Sequence, residues 1–225
     1  MPTLSFKLNP HLYLRDPQNT ELGQKIIRSS VTMIDRLGFE HFTFKKLAEE
    51  IGSREASIYR YFENKHRLLL YLIGWYWNWL EYRIDLHTSV LTDPHEKLKA
   101  CIRVITEKKK YDSNFEFIDE EALYRIVLAE LDKTYLTKQV DVDNKDGLFG
   151  GFKSICKKIA EWIKQINPDY PYPHALISTI LLTAKQQVFF ADHLPSLTDF
   201  KRVTDRAKAL EDFLMNLIFQ SIKKS

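Results

Sequence analysis

Few residues in this chain stand at spacings that could do covalent or metal chemistry. Glu63-Asn-Lys-His66 has the Glu-x-x-His spacing that di-iron bundles use twice, but it occurs once and brackets a lysine at a helix start. Cys101 and Cys156 match neither a zinc spacing nor Cys-x-x-Cys. They read as two buried, apolar-like thiols in a reducing compartment. His95 and His193 each neighbour an acid, an ordinary surface arrangement. HExxH, GxSxG and a glycine-rich phosphate loop are all missing from the sequence. The expectation is a protein with no catalytic residues, no metal and no cofactor.

The chemistry that remains is non-covalent, and it concentrates in residues 43–68, TFKKLAEEIGSREASIYRYFENKHRL. Leu47, Ala48 and Ile51 share one helical face, and Ile58 and Phe62 share the next. Ala48 is small where two helices cross closely. Gly52 permits the left-handed backbone that ends one helix and begins a turn. This is the construction of a helix-turn-helix, whose second helix enters the DNA major groove. Core packing of a helical hairpin explains the apolar positions alone. It leaves Thr43, Tyr59, Tyr61 and Lys65, which are directed largely to solvent, without a reason.

The elements that must position these residues are helical throughout. Strand-like alternation is nearly lacking, and 7 glycines and 8 prolines punctuate a 3.6-residue periodicity, so the chain is expected to be all-α. Residues 1–19 read as an irregular arm broken by Pro2, Pro10 and Pro17. Thr20 caps a helix to about Leu37, and Gly38 stops it. Thr43 caps a short helix to Ile51, a third runs from about Glu55 to Tyr61, and a long fourth from Asn64 to about Val90. Further helices are expected from Pro94 to about Lys110, Asp119 to Leu131, after Gly151 to Ile166, and after Pro173 to about His193. The last is expected from Thr198 or Asp199 to about Ile222. Residues 134–151 read as a polar loop plus a helix start.

The 43–68 stretch resembles the DNA-binding motif of the TetR family of bacterial regulators. The family places are held here by Thr43, Leu47, Ala48, Gly52, Ile58, Tyr59, Tyr61, Phe62 and Lys65, with Gly38 and the first helix fitting upstream. The resemblance covers about residues 20–70. It implies an all-α protein with an N-terminal three-helix DNA-binding domain (20–66) after the arm, and a larger helical effector-binding and dimerisation domain (67–225). It implies that Thr43 and Lys65 bind phosphate and that Lys45 reaches phosphate or a base edge. Glu55, Ala56 and Ser57 would face bases, flanked by Arg54 and Arg60, and Tyr59 and Tyr61 would lie along the backbone. This chain departs from the pattern at Ser53 and Arg54, so the usual cap of the recognition helix is lost or shifted to Ser53. Glu55 stands where Lys, Pro or Gln is common, and its carboxylate can accept from cytosine N4.

Beyond the motif, the fourth helix is apolar on almost every side, through Leu68, Leu72, Trp75, Trp79, Tyr82 and Leu86 and through Leu69, Ile73, Tyr76 and Leu80. Aromatics continue with Phe115, Phe117, Tyr124, Phe149, Phe152, Trp162, Phe189 and Phe190, as a pocket for a hydrophobic or aromatic effector or as plain core. His87, Tyr124, Arg125, Gln186 and Gln187 are polar candidates within those faces. Ile177, Ile180, Leu181 and Ala184 on one helix, and Val203, Ala207, Leu210, Leu214 and Leu217 on the last, form two stripes suited either to intramolecular core or to a four-helix interface between two copies, and the family resemblance implies the interface.

The expected function is a ligand-responsive transcriptional regulator, a repressor by family habit, binding a pseudo-palindromic double-stranded operator as a homodimer. The alternative is a helical partner-binding or small-molecule-binding protein whose helix-turn-helix no longer binds DNA. No signal peptide or membrane span is evident, so a cytoplasmic protein is expected. The net charge of +3 fits this division. Residues 1–67 hold 11 Lys and Arg against 8 Asp and Glu, and the remainder is balanced.

Overall fold

The computed structural model describes residues 5–109 and 118–223. The expectations for Pro2, Phe115 and Phe117, and for a helix end at Lys110, fall outside these residues. Among the described residues there are helices and no strands. In chain order they are α1 Glu21–Leu37, α2 Phe44–Glu50, α3 Glu55–Tyr59, α4 Lys65–Thr88, α5 Pro94–Thr106, α6 Glu120–Glu130, α7 Asp132–Tyr135, α8 Val140–Lys145, α9 Gly150–Ile166, α10 Pro173–His193 and α11 Arg206–Ser221.

The helix starts follow local chemistry. Thr20, Thr43, Asp93 and Asp119 each accept an amide of the first turn of α1, α2, α5 and α6, satisfying donors the helix itself leaves unpaired. The last helix begins later than its periodicity predicts. The side chain of Asp199 makes no cap bond, whereas Asp205 accepts the Lys208 amide at 3.0 Å. Short 3-10 turns at Pro195–Leu197 and Phe200–Arg202 fill the interval, so Val203 lies outside the helix in extended conformation. The polar stretch after Tyr135 folds into α8 rather than remaining a loop.

The chain forms two compact units. The first takes the residues up to Asn78 together with Lys109–Gly150. Its core is aliphatic and aromatic, with Ile26, Ile27, Phe42, Leu47, Ile58, Phe62, Tyr71 and Trp75 essentially sealed from solvent. Here α1 packs on α2 and α6. Arg125 of α6 clasps Asp35 of α1 with two hydrogen bonds, of 2.9 and 2.8 Å. Arg67 at the start of α4 holds the buried Asp143 of α8 at 3.0 Å. Tyr124 stacks on Tyr76. These two polar candidates thus serve packing and an ion pair.

The second unit takes Trp79–Lys108 and Gly151–Ser225. In it α11 packs on α5 and α10. The stripes expected to meet a second copy face this interior. Ile177, Ile180, Leu181 and Ala184 are buried, as are Leu210 (3% exposed) and Leu214 (0%). Burial within one chain removes them from any surface another copy could touch. Of the expected interface only Val203, Ala207 and Leu217 reach solvent, joined by Phe213 at 42% exposure. Of the remaining polar candidates, His87 turns its Nδ1 to the Arg83 carbonyl at 2.8 Å, and Gln186 is exposed.

Both cysteines lie in this second unit, without a disulfide. Burial raises the Cys101 thiol far above its ordinary range and pushes Cys156 up to about 11. Both are protonated at pH 8, and the thiolate is the reactive form. Iodoacetamide at pH 8 is therefore expected to leave both intact in the native protein and to modify both in urea. Mass spectrometry showing rapid native alkylation of Cys101 would contradict this burial.

Candidate nucleic-acid interface

The interface is built on a buried base. Phe44, Leu47, Ala48, Ile51, Ile58 and Phe62 are each at most 4% exposed, and they fix α2 against α3. The turn between the helices is made by Gly52 at φ +64°, where a side chain would be strained, and by the Ser53 amide donating to the Ala48 carbonyl at 2.9 Å. Phe44 meets Tyr59 edge to face at 5.1 Å, which steadies the exposed tyrosine.

Above this base the structure exposes Thr43, Lys45, Arg54, Ala56, Tyr59 and Arg60, with Glu55 and Ser57 half-buried. Those eight lie on α2 and α3 or next to their ends. Thr43 caps α2 by accepting the Lys46 amide at 3.2 Å. Of the two expectations for the cap of α3, lost or shifted to Ser53, the structure shows the first. Arg54 occupies the capping position of α3 without a side-chain bond.

Two residues expected on this surface are used elsewhere. Tyr61 is 3% exposed, and its hydroxyl is bonded to Thr20 Oγ1 at 2.8 Å. Lys65 turns its ammonium inward, donating to the carbonyls of Phe39 (3.1 Å), Glu40 (3.3 Å) and Phe42 (3.3 Å). It also lies 4.7 Å from the Phe39 ring centroid. It fastens the turn between α1 and α2. An ammonium has three donors, so these bonds saturate it.

The same turn is held from α6 and α7, which sequence reasoning missed. Glu130 Oε1 accepts the Phe39 amide at 3.1 Å, and Lys133 bridges Glu130 (2.7 Å) and Glu40 (2.8 Å). The hydrogen bond and charge of Lys133 hold the Glu40 carboxyl below its ordinary range. The partners lie about ninety residues apart in sequence, so no local pattern could have signalled them.

A short solvent-facing helix on a buried helix pair, with hydroxyl, basic and aromatic side chains outward, is the architecture of a helix-turn-helix. Residues 26–72 match the family of bacterial regulatory proteins, tetR family, and this segment is a TetR-family helix-turn-helix domain. Solved structures extend the likeness of fold to most of the chain. The ketosteroid transcriptional regulator KstR2 of Mycobacterium tuberculosis is 15% identical with a TM-score of 0.57, over 90% of this chain and 95% of its own. AibR, in complex with isovaleryl coenzyme A and operator DNA, is 15% identical with a TM-score of 0.56, over 87% and 98%. The fatty acid degradation regulator FadR of Bacillus halodurans is 19% identical with a TM-score of 0.56, over 86% and 92%. No curated protein sequence matches the chain. Among the described residues no helix is long and apolar enough to cross a membrane.

Proposed function

We propose that this protein is a homodimeric, effector-responsive transcriptional regulator that represses from a pseudo-palindromic operator. The observation that carries this reading is the outer face of α2 and α3. Thr43 and Lys45 stand at the start of α2, and Arg54, Ala56, Tyr59 and Arg60 stand along α3, all exposed above a sealed core. In this arrangement Thr43 and Lys45 contact phosphates, and Arg54, Glu55, Ala56 and Ser57 face base edges, with Arg60 flanking them. Residues 20–66 act as the DNA-binding domain and 67–225 as the effector and dimer domain, in the cytoplasm. The effector is a small hydrophobic or aromatic compound, and its binding shifts α4 and weakens the fit to the operator. Structurally similar regulators support an apolar effector. One is described with isovaleryl coenzyme A, another as a regulator of fatty acid degradation.

For the dimer, the supporting surface is the outer side of α11. A shallow groove there is lined by Phe213, Asn216, Leu217, Gln220 and Ser221. Leu194, Leu197 and Val203 add exposed apolar area in the preceding segment. The uncapped α3 favours the second reading, a partner-binding protein without DNA affinity.

The test is binding-site selection from random or genomic fragments, followed by titration over a range of salt. The selected duplex is expected to bind with a log–log salt slope reflecting several phosphate contacts, and Lys45→Ala is expected to reduce that slope by about one unit per subunit. Failure to enrich any site, with no salt-dependent retention on duplex DNA, would favour the partner-binding reading.

A further inference from the structure

The recognition helix is poorly held by its own structure. It has five residues and no side-chain cap, and isolated helices of that length are unstable. Its exit is instead gripped by the segment before α1. The Leu14 amide donates to the Tyr61 carbonyl at 2.8 Å. The Arg15 guanidinium lies 5.5 Å from the Tyr61 ring centroid, and the Tyr61 hydroxyl meets Thr20. The Leu14 side chain is 68% exposed, so its contribution here is the backbone amide.

This segment is irregular, with short 3-10 turns at Pro10–Leu12 and Pro17–Asn19, and it is anchored along its length. Leu8 and Leu12 are buried, Phe6 meets Trp75 at 5.2 Å, and Tyr13 meets Tyr71 at 6.1 Å, both edge to face. Pro17 lies so close to α1 that a Cβ at Gly23 would fall 2.3 Å from its carbonyl oxygen. Asn9 Nδ2 donates to the Asp146 carbonyl at 2.9 Å, beyond α8.

We infer that residues 9–20 are a positioning strap, which sets the angle of α3 by holding Tyr61 and so determines operator specificity without touching DNA. This rests on the DNA-binding reading above. The strap acts on the orientation of α3, on which base contacts depend, whereas the phosphate contacts of Thr43 and Lys45 are made from the start of α2.

The experiment uses the full chain and two duplexes, the site selected by the wild type and an unrelated sequence. Leu14→Pro removes the amide donor, and Leu14→Ala keeps it. Leu14→Pro is expected to lose about tenfold in affinity for the selected site, the equivalent of ~1.4 kcal/mol, with the unrelated duplex and its salt slope unchanged. Leu14→Ala is expected to match the wild type. Tyr61→Phe, which preserves burial and removes only the hydroxyl, is expected to lower the same ratio by a smaller factor even if Leu14→Pro does not fold. An unchanged ratio in Tyr61→Phe and in folded Leu14→Pro, or an equal loss on both duplexes, overturns the strap alone. No salt-dependent binding by the wild type overturns the proposed function and the strap with it.

Discussion

Lys65→Ala is expected to destabilise the protein by roughly 2–3 kcal/mol, lowering Tm by about 5–10 °C. The side chain supplies donors to three carbonyls of one turn, at Phe39, Glu40 and Phe42, and rests over the Phe39 ring. Removing it leaves those acceptors to whatever water can reach them and deletes a cation–π contact. The turn leads directly into Thr43 and α2, so operator binding is expected to weaken as a consequence of the loosened turn. Lys65→Arg is not expected to restore stability, because a planar guanidinium cannot replace a compact ammonium among three converging carbonyls. Thermal unfolding and a salt titration on the same variants separate the two roles. An unchanged Tm with a salt slope reduced by one unit would return Lys65 to the phosphate contacts that the family resemblance implied.

Leu210→Glu is expected to unfold the second unit, with a loss of more than about 4 kcal/mol, since it buries an unpaired carboxylate. Leu210 is 3% exposed, and it shares its stripe with Leu214, Ile218 and Ile222, all at 2% or less. That stripe faces the helices of its own chain. Leu217→Glu and Phe213→Glu place the same charge on the outer side of α11, where solvent can reach it. They are expected to leave the melting curve within a few degrees of wild type and to give monomers in sedimentation. The contrast locates the proposed dimer face. A monomeric Leu210→Glu with an unchanged melt would place the buried stripe between subunits after all, and a dimeric Leu217→Glu would remove the outer face of α11.

Apart from α7 and α8, helix existence and type were legible in the sequence because they depend on local chemistry. Thr20, Thr43, Asp93 and Asp119 act as caps through bonds spanning two or three residues, and Gly38 and Gly52 take the positive φ that ends a helix. The reading head was legible for the same reason. Leu47, Ala48, Ile58 and Phe62 point inward by periodicity alone, so Thr43, Lys45, Ala56 and Tyr59 must point outward. Shorter signals misled. Thr198 and Asp199 read as caps of the last helix, whereas Asp205 takes that place and the chain before it turns twice as 3-10 helix.

The sequence by itself determined a helical chain, the position of the helix-turn-helix and the outward set of side chains on it except Tyr61 and Lys65. The tertiary structure alone decided the partners. An apolar stripe such as Leu210–Leu214 has the same spacing whether it meets another helix of its own chain or a second copy. A lysine at the start of α4 has the same spacing whether its ammonium finds a phosphate or the carbonyls of a turn. Tyr61 likewise keeps its place in the motif while its hydroxyl goes to Thr20, forty-one residues away. Periodicity and spacing report which face a residue occupies, whereas what that face touches is set by contacts between segments remote in the chain.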